Sequence, residues 1–129
     1  MKAYWDSSAL VEAFSDPQLL ARLKSEGGLT RPHALSETFA SLTGNPKARI
    51  DANDAAAVIE RLAASLEFVE VTAPEILTAL KLARQKGVRG GRVHDYLHAV
   101  AAEKSGAKTI LTLDENDFDN LTSLTVELA

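Results

Sequence analysis

Four carboxylates in this sequence stand out by where they fall rather than by local spacing. Asp6 closes the short segment Lys2-Ala3-Tyr4-Trp5, and Asp114 closes Lys108–Leu113. Asp95 follows the Gly90-Gly91 joint at the start of a long apolar run, and Glu37 lies inside an earlier one. Acids at the carboxyl ends of parallel strands lie where open α/β sheets place their ligands. An enzyme that holds divalent metal needs such a gathering of acids. Each acid also has an ordinary reading. Asp6 or Ser7 can cap a helix, Asp114 can start a turn, Asp95 can complement a helix dipole, and Glu37 can be solvated. Location alone leaves both readings open.

The elements that must position these acids alternate between strand and helix. Lys2–Trp5 reads as a strand, followed by a helix with Ala9, Leu10, Ala13 and Phe14. Asp16-Pro17 is an N-cap with proline at the first helical position, and that helix (Leu19, Leu20, Leu23) should stop at Gly27-Gly28. Leu29-Thr30 suits a very short strand. Thr30 or Arg31, ahead of Pro32, then opens a helix with Leu35, Phe39 and Leu42 on one face. Glu37 is turned from that face, beside His33, Ala40 and Ser41. Gly44-Asn45-Pro46 ends the helix, and the next loop is basic at Lys47 and Arg49.

A helix over 55–66 carries Val58, Ile59, Leu62 and Leu66, and Glu67–Val71 reads as a strand. Thr72-Ala73-Pro74-Glu75 is a capping box that should start a helix burying Ile76, Leu77, Leu80 and Ala83. Val93–Lys104 is apolar almost all round, which predicts a central, buried helix ended by Gly106. Lys108–Leu113 and Leu121–Leu128 complete the strands. Such alternation implies an α/β fold, with a parallel sheet covered on both faces.

Bulk properties narrow the function. A length of 129 residues fits one domain spanning 1–129. The absence of cysteine excludes disulfides, thiolate metal sites and a cysteine nucleophile. No apolar run reaches the roughly 18 residues of a membrane span, and no basic leader precedes an apolar core, so a cytoplasmic location is expected. The net charge of −4 argues against nonspecific coating of nucleic acid but not against a nuclease. Between Lys81 and Arg92 five cations occur without an acid. Arg89 and Arg92, among glycines and just ahead of Asp95, are candidate RNA phosphate contacts.

The order Tyr4-Trp5-Asp6-Ser7-Ser8-Ala9-Leu10, Ser36-Glu37-Thr38, His94-Asp95-Tyr96-Leu97-His98-Ala99 and Leu111-Thr112-Leu113-Asp114, with Asp117-Phe118, resembles a PIN domain. Within that family it is most similar to the VapC-type toxin ribonucleases of toxin–antitoxin pairs. The resemblance implies a three-layer α/β/α fold with a mainly parallel sheet of four to five short strands. It implies a metal-dependent endoribonuclease with Asp6, Glu37, Asp95 and Asp114 as the acidic quartet. Asp117 is a further candidate, because some members place the acid three residues later. Ser8 and Thr112 match supporting polar positions. Mg²⁺ or Mn²⁺, which prefer carboxylate oxygen and water, are the implied cofactors. An RNA substrate, a cognate antitoxin and a homodimer are the implied partners, with no membrane. Acids sharing one pocket repel, so at least one should show a raised pKa in the absence of metal.

Other readings compete. His94 and His98 at i, i+4 resemble a zinc hydrolase pair superficially, but Asp95 is a methylene shorter than the usual Glu and His33 is the remaining histidine. A receiver-like Mg-binding module would need a second strand-end acid near mid-chain, where Thr72 and Pro74 stand instead. A non-catalytic PIN-like protein acting through a protein partner is the other alternative. Metal-dependent RNA cleavage separates the nuclease from both.

Overall fold

The computed structural model describes residues 2–46 and 49–129. The basic loop position Lys47 lies outside the described residues. Five strands form one all-parallel sheet in the order β3-β2-β1-β4-β5. They are β1 (Tyr4–Trp5), β2 (Gly28–Thr30), β3 (Leu66–Phe68), β4 (Thr109–Thr112) and β5 (Thr125–Leu128). Helices α1 (Ser7–Ser15), α2 (Pro17–Glu26), α3 (His33–Gly44), α4 (Ala52–Ala63), α5 (Ala73–Lys81) and α6 (Val93–Ser105) complete it. This is the layered α/β/α arrangement expected from the sequence.

The central strand is only two residues long, yet it divides the interior. Successive strand side chains point to opposite faces. Tyr4 and Ile110 therefore join the cluster under α6, with Tyr96, Ala99 and Phe118. Trp5 and Leu111 join the cluster under α1, α2 and α4, with Leu10, Leu23 and Leu62. Gly28 is required beside the indole, since a Cβ there would lie 2.7 Å from Trp5 Cδ1.

Local signals set most helix ends. Asp16 accepts from Gln18 N and Leu19 N ahead of Pro17, Thr72 and Glu75 form the expected capping box, and Gly106 ends α6 with a left-handed φ of 80°. Four expectations need correction. The buried face of α3 is Ala34, Thr38 and Leu42, while Phe39 is 38% exposed. Small side chains at 34 and 38 let α3 pack closely, and Thr38 satisfies its hydroxyl on Ala34 O. Neither Thr30 nor Arg31 caps α3, because Thr30 Oγ1 donates to Trp5 O and Arg31 is drawn inward. Helix α5 lies at the rim and buries Ala79, leaving Leu77 and Leu80 exposed. Finally, β3 spans only Leu66–Phe68 and β5 only Thr125–Leu128. Leu66 thus starts β3 instead of finishing α4, and pairing with the three-residue β2 ends once Val69 N reaches Thr30 O.

Candidate active site

All five strands run parallel, so their carboxyl ends open on one edge, and the chain leaves β1 there into Asp6. Asp6 is 3% exposed. Its Oδ1 caps α1 by accepting from Ala9 N at 2.9 Å, and it also accepts from Ser8 Oγ at 2.7 Å. Its Oδ2 takes no hydrogen bond among the described residues. Helix cap and site acid are therefore compatible roles of one carboxylate. Ser8 Oγ also accepts from Leu113 N at 3.0 Å and lies 3.2 Å from Thr112 Oγ1. With its proton committed to Asp6, Ser8 must accept from Thr112. These bonds tie the exits of β1 and β4 together.

Glu37 reaches the same edge from α3. His98 Nε2 lies 2.9 Å from Glu37 Oε1, and Arg31 donates to that oxygen at 3.5 Å. The tautomer follows from the other ring nitrogen. Arg31 Nε can only donate, and it points at His98 Nδ1 at 3.5 Å, as does Tyr4 OH at 2.7 Å. Nδ1 is therefore the acceptor and Nε2–H donates to Glu37. Burial acts to raise the Glu37 pKa, but His98, Arg31 and His33 outweigh it and hold the carboxyl below its ordinary value.

Asp95, in the first turn of α6, behaves oppositely. Burial, then the charges of Asp117, Asp6 and Glu37, push its pKa up from 3.8 to about 6, against the opposing pull of Arg92. Asp117 is also raised, by burial and then by Asp114 and Asp6. Burial first, and then the charges of neighbouring carboxylates, thus raise both Asp95 and Asp117. Of the two acids in the turn after β4, Asp117 is the one whose charge acts on Asp95. Asp114 is exposed, and its Oδ1 caps that turn by accepting from Asn116 N at 3.0 Å. It meets the cluster through Asp117. Asp6, Asp95, Asp114 and Asp117 offer carboxylate oxygens, the hard donor type that Mg²⁺ or Mn²⁺ favour.

The sequence matches the PIN domain family model over residues 3–124. The chain belongs to the PIN domain family. PIN domains are generally nucleases, which supports a hydrolase. Two solved structures share the fold. PAE2754 from Pyrobaculum aerophilum superposes with a TM-score of 0.70 at 15% identity, covering 98% of this chain and 89% of its own. VapBC2 from Rickettsia felis, bound to a DNA fragment from their promoter, gives 0.71 at 18% identity, covering 99% of this chain and 98% of its own. No curated protein sequence matches the chain.

Around the acids, this PIN domain carries further polar groups. Tyr4 and Arg31, both buried, hold His98 and through it Glu37. Arg31 also donates to His94 O at 3.2 Å, which joins the starts of α3 and α6. Arg92 stands at the rim, donating to Gly87 O and Asp119 O while its charge reaches Asp95 and Asp117. Arg89 is exposed just before it. Among the described residues, no helix is long and apolar enough to cross a membrane.

Proposed function

We propose that this PIN domain is a Mg²⁺- or Mn²⁺-dependent endoribonuclease and the toxin of a toxin–antitoxin pair. The observation that carries the reading is the electrostatic coupling of Asp95 to Asp117, Asp6 and Glu37 at one sheet edge. Asp6 and Asp95, with Asp114 or Asp117 from the turn after β4, would hold the ion, and Ser8 and Thr112 fix Asp6. When bound, a divalent ion supplies Lewis acidity toward a phosphodiester oxygen and toward water. Glu37 orients the attacking water through its unbonded oxygen, and the His98 and Arg31 contacts keep it anionic and fixed. Arg89 and Arg92 meet RNA phosphates at the rim.

An antitoxin is the expected partner, and the VapBC2 likeness supports it. Self-association is also expected, and exposed Leu77, Leu80 and Leu82 support an apolar contact. The deciding experiment measures RNA cleavage in Mg²⁺ or Mn²⁺ against EDTA, with Asp6→Asn as control. Cleavage that needs metal and is lost in the variant is expected. A pure, folded sample that neither cleaves RNA nor responds to either metal overturns the reading.

A further inference from the structure

All three histidines of this chain gather around Glu37. His98 is its buried hydrogen-bond partner. The other two present a different arrangement. His33, Glu37 and His94 offer ligand atoms that all lie within 4.8 Å of one another. His33 and Glu37 stand one turn apart on α3, so their side chains share a face. His94 comes from the start of α6, and its ring stacks on His33 with centroids 5.5 Å apart and planes 15° apart. Two aligned imidazoles and a carboxylate form a donor set unlike the carboxylates of the acidic edge.

From this juxtaposition we infer a second metal site, selective for a borderline transition ion such as Zn²⁺, built by His33, Glu37 and His94. Imidazole suits Zn²⁺, whereas Mg²⁺ seeks oxygen. Ligand atoms on a tetrahedral zinc lie about 3.3 Å apart, given bonds near 2.0–2.1 Å. The two exposed imidazoles are the ligands free to rotate toward a shared ion. His98 and Arg31 both engage Glu37 Oε1, which leaves Oε2 for the ion. Both imidazoles line an open cleft of about 530 Å³, so a fourth position stays accessible to water. Among the described residues, the Arg31 guanidinium is the neighbouring group that opposes a cation. Occupation would withdraw Glu37 from the acidic edge and make zinc an inhibitor of cleavage. That consequence rests on the nuclease reading, whereas the site itself does not.

The test is zinc titration by calorimetry on untagged protein, with Mg²⁺ in large excess to fill the acidic edge. Co²⁺ absorption in the visible serves as a second readout of imidazole ligation. One zinc per chain is expected, with affinity reduced at least about tenfold in His33→Ala and in His94→Ala. Both variants should keep the far-ultraviolet circular dichroism and the Mg²⁺ response of the parent. Asp95→Asn should keep zinc binding, which separates this site from the acidic edge. Zinc affinity unchanged in both histidine variants, or abolished by Asp95→Asn, overturns the proposal and leaves the nuclease reading standing.

Discussion

Replacing Asp95 with Asn should stabilise the metal-free protein near neutral pH, although it removes a proposed metal ligand. Folding raises the pKa of this carboxyl from 3.8 to about 6. Below about pH 4 it is protonated in folded and unfolded chains alike and contributes nothing. As pH rises the unfolded chain loses the proton first, and above about pH 6 the full cost of ionising the folded form is expressed. A shift of about 2 units corresponds to about 3 kcal/mol. Asp95 is only half-buried, so solvent screening reduces this to roughly 1–2 kcal/mol. Loss of a first-turn acid from the helix dipole works the other way by about 0.5 kcal/mol. The net gain for Asp95→Asn is about 1 kcal/mol near pH 7, worth about 4 °C in Tm for a domain of this size. It should vanish below about pH 4. No hydrogen bond to Asp95 is sacrificed among the described residues. Urea denaturation read by the single, buried Trp5 provides the assay, in EDTA across this pH range. Added Mg²⁺ should favour the parent and shrink the difference. A variant less stable than the parent in EDTA near pH 7 would refute the argument from burial and repulsion.

Gly28→Ala should destabilise by about 1–3 kcal/mol, because its methyl group meets the Trp5 ring within an already filled interior; urea denaturation measures this. Tyr4→Phe removes a donor to His98 Nδ1 and should cost about 1 kcal/mol. If the Tyr4–His98 contact positions Glu37, RNA cleavage should fall in kcat with KM unchanged and its pH profile should move, which reduced stability alone would not produce. Arg89→Ala with Arg92→Ala should weaken RNA binding and flatten its salt dependence, by a log–log slope of about 1 for each phosphate no longer neutralised. Equal affinity and slope in filter-binding titrations would remove both residues from the RNA path.

Much of this molecule is legible because its signals are local. Asp16-Pro17, Thr72 to Glu75 and Gly106 each state a helix boundary within four residues, and the structure uses all three. The alternation that predicts a parallel sheet is likewise a local pattern. What the sequence leaves open depends on partners far along the chain. Asp114 and Asp117 share one turn, and their different surroundings, a cap bond to Asn116 N for one and a charge acting on Asp95 for the other, depend on contacts no local pattern states. Periodicity misleads on the face of α3 because Leu35 and Phe39 are larger than Ala34 and Thr38, while close helix packing selects for the smaller pair. Helix α5 has an amphipathic pattern, but its rim position leaves Leu77 and Leu80 without a covering layer. The Tyr4–His98–Glu37 chain joins residues 94 and 61 positions apart, beyond the reach of any periodicity.

The brevity of β1 carries a consequence for how the protein matures. Two residues join both halves of the interior and deliver Asp6 to its edge, with register fixed by Tyr4 opposite Ile110 and Trp5 opposite Leu111. A slip of one residue would exchange the faces of Tyr4 and Trp5 and unseat His98 along with both hydrophobic clusters. Strand β4 lies more than a hundred residues after β1 in the chain, so a nascent chain lacks it until Thr112 has been made. The acidic edge therefore cannot be completed on a chain that lacks β4 or pairs β1 out of register.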